Sequence, residues 1–175
     1  MGRDKAEVEV DGRPMLHRVA DAMAPSVSRV VLLGPDRAGW ECWPDSVHAA
    51  GPLAGIATAL SRTDTAQVLV VAVDNAFTRP DTLAQIVSLA GDVPVVPVDE
   101  GGIRQVTCAL YPRAIAKAAV EEASAEGTIQ TLLDRVSFRA VAPAEWRRWG
   151  EDGRSWFSAD TPEALAVGTA RYQRG

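Results

Sequence analysis

The sequence predicts an α/β fold, with helices covering both faces of a mostly parallel sheet. Three observations support this. Apolar strand-like runs alternate with amphipathic helical ones along the chain, which favours parallel pairing through right-handed crossovers. The run Val68 to Val73 is continuously apolar, as strands buried on both faces are. That run ends directly in Asp74 and Asn75, and folds of this class bind ligands beyond the carboxyl ends of their strands.

The elements follow in order. Val8 to Val10 alternates apolar and acidic residues before the turn pair Asp11-Gly12. Met15, Val19, Ala20 and Met23 recur at helical spacing. Arg29 to Gly34 is a β-branched run closed by glycine and predicts a buried strand. Residues 35–50, with Pro35, Gly39 and Pro44, predict irregular chain. A helix is expected over Leu53 to Leu60, and another over Pro80 to Ala90, where proline suits the first turn and Asp81 complements the dipole. Val93 to Pro97 predicts a strand whose prolines mark an end or a sheet edge. Ile103 to Leu110 predicts a strand, Arg113 to Ser124 an Ala-rich helix, Thr128 to Asp134 a short helix and Phe138 to Val141 a short strand. Residues 143–155 read as a charged, Trp-containing loop. Asp160 and Glu163 stand three apart, as in a capping box, ahead of a last helix running toward Tyr172.

Composition limits the function. A chain of 175 residues with 47% hydrophobic residues predicts one domain, 1–175, with a real core. A net charge of −5 argues against a nucleic-acid partner. Without an apolar run of about 18 residues or an apolar leader, no membrane partner is expected. Cys42 and Cys108 form no CxxC pair and read as reduced thiols. The expected location is cytoplasmic.

Several residues can carry chemistry. Asp74 would stand at the carboxyl edge of the sheet, where a hard carboxylate suits Mg²⁺ bridging phosphates; it could equally end the strand or cap the next turn. Gly51-Pro52-Leu53-Ala54-Gly55 opens a helix between two glycines. Such a turn lets backbone N–H groups approach a ligand, and it is also an ordinary loop-to-helix turn. Arg3 and Lys5 form a cationic pair suited to a phosphate, or they belong to a solvated terminus. Arg104, Gln105 and Thr107 line a strand-like segment that is either a binding face or the solvent row of an edge strand. Trp146-Arg147-Arg148-Trp149 could stack on bases, but a packed surface loop is the stronger reading. His17 and His48 have no partner at metal or triad spacing.

These residues occur in a recognisable order. Met1-Gly2-Arg3-Asp4-Lys5 resembles the second half of the signature (L)AGGxSxRMGxDK. DGRPML, GPLAGI, VDNAF, RQVTCALY and DTPEAL follow. The set resembles the MobA family, the molybdenum cofactor guanylyltransferases, among the sugar-nucleotidyltransferase-like enzymes. The resemblance implies a Rossmann-like, three-layer α/β/α fold of the nucleotide-diphospho-sugar transferase type. It implies transfer of GMP from GTP to the terminal phosphate of molybdopterin, with release of pyrophosphate. It assigns Lys5 and Asp74 to catalysis, Asp74 to Mg²⁺, and Arg3, Lys5, Gly51 to Gly55 and Asp74 to the nucleotide. Gln105, Thr107, Ser158 and Asp160 fall on the pterin-substrate side; Ser158 and Asp160 stand where the family has asparagines. Molybdoenzymes or their chaperones would receive the product.

The chain departs from the pattern at named places. Asn75-Ala76-Phe77 replaces x-P-F, Val106 replaces a proline, and Ala49 or Ala50 stands where an acidic residue is usual. The signature's first strand and Gly-rich loop lie outside the numbered residues. A parallel sheet without that strand would expose apolar faces and unpaired backbone, so upstream residues or another element are expected to fill the gap. Two rival functions stand beside the lead: a molybdopterin cytidylyltransferase, and a non-catalytic relative that binds cofactor or a partner.

Overall fold

The computed structural model describes residues 4–45 and 51–172. Arg3, His48, Ala49 and Ala50 lie outside the described residues. The main sheet has four strands: β5 (Gln67–Val71), β6 (Val95–Pro97), β7 (Cys108–Pro112) and β8 (Arg139–Val141), in the order β5-β7-β6-β8. β6 and β8 are parallel, and β7 is antiparallel to both β5 and β6. Three strands therefore run one way and β7 alone is reversed.

Period-two alternation sends the side chains to two cores. Cys108 and Leu110 of β7 meet Leu83 and Ile86 of α3 (Pro80–Ser88), with Trp146 and Trp156. Ala109 and Tyr111 face the other way. There they meet Leu53, Ile56 and Leu60 of α2 (Pro52–Arg62), Ala119 and Ala123 of α4 (Ala116–Ser124), and Leu132 and Leu133 of α5 (Ile129–Arg135). Helices thus lie on both faces, in the expected three-layer α/β/α arrangement.

The amino-terminal part adds a hairpin, β1 (Glu9–Val10) with β2 (Arg13–Pro14), and α1 (Met15–Met23). Asp11 and Gly12 turn the hairpin at φ 54° and 71°, as a tight two-residue turn requires. A separate two-stranded parallel sheet joins β3 (Leu32–Leu33) and β4 (Cys42–Trp43). Next, α6 (Pro143–Trp146) and α7 (Pro162–Tyr172) complete the chain order. α7 packs Tyr172 against Phe77, Met15 and Val10 at the carboxyl edge of the sheet.

Several expectations need correction. The strand expected over residues 29–34 is regular only at Leu32–Leu33, where among the described residues it pairs with β4 alone. The stretch expected to be irregular contains β4. β6 is not an edge strand: Pro97 closes its end, and β7 and β8 flank it. The Trp-containing loop is partly helical; Trp146 is buried, donates its Nε1–H to Val98 O at 2.8 Å and meets Trp156 edge to face. That geometry removes Trp146 from base stacking. The cap of α7 is Thr161, whose Oγ1 accepts from Ala164 N at 3.1 Å, and not Asp160. The strand-like 103–110 segment forms β7 only from Cys108, and β7 lies inside the sheet, so Gln105 and Thr107 are not the solvent row of an edge strand. Finally, β5 is the most apolar strand in sequence, yet four of its five residues are only half-buried, while β6 and β7 are buried throughout.

Candidate functional site

β5 delivers Asp74 to the carboxyl edge of the sheet. Just past the strand the chain turns: Asn75 N donates to Ala72 O at 3.1 Å, and the buried Asn75 side chain donates to Thr107 O at 3.3 Å. This pins the backbone on which Asp74 stands. Its carboxylate is 18% exposed, with Lys5 Nζ at 3.5 Å from Oδ2. Ser158 Oγ donates to the same Oδ2 at 3.1 Å, and Ala159 N donates to Asp74 O at 2.9 Å. Three residues distant in sequence thus meet at one carboxylate.

Lys5 does not belong to a frayed end. It opens a 3₁₀ turn, Lys5–Glu7, whose cap is Asp4, with Oδ1 accepting from Ala6 N at 3.0 Å. Arg37 clasps that turn by ion pairs to Asp4 and Glu7. The Arg37 guanidinium beside Asp4 holds its carboxyl below the usual carboxylate range. Sequence reasoning did not pick out Arg37; its signal was a lone cation past Gly34-Pro35, answering the acidic pair around Lys5. Arg18 was missed as well. From α1 it donates to Ala76 O at 3.0 Å and to Val10 O at 3.4 Å, tying the hairpin to the turn after Asp74.

The Gly51–Gly55 segment divides by role. Gly51 has φ 79°, a left-handed conformation that glycine adopts without strain, and Pro52 starts α2. Leu53 and Ala54 are buried and serve the core. Gly55 marks a close crossing: a Cβ there would meet Leu33 Cδ1 at 3.3 Å. Gly51, Pro52 and Gly55 line a groove of about 980 Å³, together with Asp4, Arg37, Val73 and Thr107.

The substrate-side residues are split. Gln105 and Ser158 line a smaller cavity of about 330 Å³, with Asp99, Trp156, Phe157 and Tyr172. Gln105 Nε2 donates to Asp99 Oδ2 at 2.9 Å. Thr107 faces the large groove instead, and Asp160 is exposed. Ser158 joins the small cavity to Asp74. A buried carboxylate, also missed in sequence, shapes that cavity's wall. Glu151 accepts from Thr82 Oγ1 and Ser155 Oγ at 2.5 Å each, from Gly153 N at 2.7 Å and from Asp152 N at 3.0 Å.

Among the described residues no group of three or more His, Cys, Asp or Glu side chains is placed to hold a metal ion. Asp74 Oδ2 is taken up by Lys5 and Ser158, and Oδ1 has no protein partner among the described residues. One carboxylate oxygen completed by substrate phosphates is a donor set Mg²⁺ accepts. Among the described residues no helix is long and apolar enough to cross a membrane.

Comparison with known proteins shows the family and the fold. The model of the MobA-like NTP transferase domain matches residues 1–141. A probable molybdenum cofactor guanylyltransferase of Deinococcus radiodurans is 39% identical over 77 residues, 42% of this chain, and the chain spans only 40% of that relative's length. A probable molybdenum cofactor guanylyltransferase of Natronomonas pharaonis is 30% identical over 93% of this chain and 86% of its own. Among solved structures, molybdopterin-guanine dinucleotide biosynthesis protein A from Archaeoglobus fulgidus superposes with a TM-score of 0.84, at 21% identity, over 99% of this chain and 93% of that one. By its matched domain and its Rossmann-like fold, the chain belongs to the MobA-like NTP transferase family.

Proposed function

We propose that the chain is a molybdenum cofactor guanylyltransferase of the cytoplasm, with GTP and molybdopterin as substrates. The observation that carries this reading is the meeting of Lys5, Asp74 and Ser158 at the carboxyl edge of the sheet, between a large groove and a small cavity. In the reaction, an oxygen of the pterin's terminal phosphate attacks the α-phosphorus of GTP. The new P–O bond forms as the bond to the β-phosphate breaks, and pyrophosphate leaves.

The chain's part is to position groups and neutralise charge. Lys5, steadied by its capped turn, offers an ammonium to the phosphates. Asp74 would hold Mg²⁺, which when bound supplies further neutralisation of the phosphate charge. Arg3 lies outside the described residues and is kept on the phosphate side by the family pattern alone. Gly51 and Pro52, with Leu53 and Ala54 fixed in the core behind them and Gly55 against β3, bring backbone close to the nucleotide. Gln105 and Ser158 serve the pterin from the small cavity, with Thr107 and Asp160 at the flanks. Molybdoenzymes or their chaperones would take the product.

Asp74→Asn and Lys5→Ala test the assignment. Each should lower GTP-dependent pyrophosphate release by about 100-fold, and unfolding should stay within about 2 °C of the parent, as for part-exposed polar sites. Unchanged release in both variants overturns the reading.

A further inference from the structure

Lys5 reaches the Asp74 edge from a turn too short to hold itself. The 3₁₀ turn Lys5–Glu7 is three residues long, and so short a turn keeps its shape only through outside contacts. Glu7 N donates to Asp4 O at 3.1 Å and Val8 N to Lys5 O at 3.2 Å, both from within the same stretch of chain. The contact with Asp74 does not fix the turn from the other side. At 3.5 Å it exceeds the usual length of a charge-assisted bond, and the lysine side chain is 41% exposed.

Arg37 supplies what the turn lacks. One guanidinium nitrogen pairs with Asp4 at the start of the turn, and the other pairs with Glu7 at its end. The planar fork sets the spacing of those two ends, which the single ammonium of a lysine does not. Asp4 divides its carboxylate between two tasks: Oδ1 caps the turn through Ala6 N, and Oδ2 meets Arg37. Holding Oδ2 therefore fixes the side-chain position that makes the cap.

Arg37 is mounted on different chain from the turn it holds. Its backbone N donates to Cys42 Sγ at 3.2 Å, and its O accepts from Trp40 N at 3.2 Å. Cys42 opens β4, which pairs with β3 just ahead of Arg37. The clasp thus ties the Lys5 turn to the β3–β4 connection.

The clasp also settles charge. Asp4 adjoins Lys5 and Glu7 closes the same turn, so both carboxylates compete with Asp74 for the ammonium. Left unanswered, they would also repel phosphates approaching the edge. Among the described residues Arg37 is the cation that pairs with each of them.

We propose that Arg37 is a positioning residue for the transfer reaction, acting through Lys5: it holds the turn and neutralises its carboxylates, so that the ammonium stays at the Asp74 edge. The proposal rests on the transferase reading above.

The test is a double-mutant cycle. GTP- and molybdopterin-dependent pyrophosphate release is measured for the parent, Arg37→Ala, Lys5→Ala, the double variant and Arg37→Lys. A second readout needs no activity: the rate at which an amine reagent acylates Lys5, read by peptide mass. Lys5 and Lys117 are the only lysines of the chain, and the exposed Lys117 is the internal standard. Arg37→Ala should lower release about tenfold in the parent and less than about twofold in the Lys5→Ala background. Arg37→Lys, which can answer one carboxylate, should recover part of the loss. Lys5 acylation relative to Lys117 should rise at least about threefold in Arg37→Ala, while the unfolding midpoint stays within about 4 °C of the parent. An equal loss in both backgrounds, no loss in the parent, or unchanged Lys5 acylation overturns the role of Arg37 and leaves the transferase reading standing. A parent chain that releases no pyrophosphate overturns the transferase reading, and the role of Arg37 with it.

Discussion

Replacing Glu151 with alanine should destabilise the chain strongly, although the residue lies outside any helix or strand. The side chain is 3% exposed and receives five donors: two hydroxyls and three backbone N–H groups. Thr82 and Ser155 are fully buried, and Ser155 Oγ also accepts from Arg79 N at 3.0 Å. Glu151 thus ties the first turn of α3 to the segment that carries Trp156 and Ser158. Alanine leaves two buried hydroxyls without an acceptor, at about 1–3 kcal/mol each, and removes charge-assisted bonds to the N–H groups; water entering the hole offsets part of this, leaving about 3–5 kcal/mol. At about 2–4 °C per kcal/mol for a chain of this size, the midpoint falls by about 6–20 °C. Glutamine keeps the shape and one oxygen toward the N–H groups, and the two hydroxyls can rotate to accept from its amide, so it should lose only about 1–2 kcal/mol. Thermal unfolding followed by near-ultraviolet circular dichroism reads both. A Glu151→Ala midpoint within about 1 °C of the parent, or a glutamine variant as damaged as the alanine one, would refute the reasoning.

Two further outcomes can be checked readily. Gly168→Ala should destabilise despite alanine's helix propensity, because its Cβ would lie 2.4 Å from Phe77 Cε2 and 2.8 Å from Phe157 Cε1. Those rings pack against each other and Tyr172 and cannot swing away, so overpacking outweighs the gain of about 1 kcal/mol, and the urea midpoint should fall. Cys108 is fully buried, and burial, with the Glu151 charge behind it, pushes its thiol pKa up. A thiol reagent should label it only on unfolding, and rapid labelling of Cys108 in the native chain would contradict this core.

The sequence carried the helices well, since α2, α3 and α4 each bury an apolar face and α2 and α3 begin on a proline. It also placed Asp74 correctly, because a carboxylate directly after a long apolar run can only stand at a strand end. The reversal of β7 was not legible: apolar alternation in Cys108 to Tyr111 records which faces are buried and not which way the strand runs. Burial of β5 was over-read for a related reason, since an apolar run does not report whether a strand lies inside a sheet or at its edge, and among the described residues β5 pairs with β7 alone. The cap of α7 shifted by one residue because Asp160 and Thr161 both cap helices well. Glu151 and Arg37 were missed since each works through partners far away in sequence, Thr82 and Asp4, which spacing alone does not reveal.

The central claim is that the Lys5–Asp74 edge serves GTP. The most direct measurement is a calorimetric titration of GTP, and then CTP, with and without Mg²⁺, into the chain and into its Asp74→Asn variant. The account predicts GTP binding that needs Mg²⁺, exceeds CTP binding at least about tenfold, or about 1.4 kcal/mol, and is lost in the variant. Equal binding of the two nucleotides, or none at all, would contradict it.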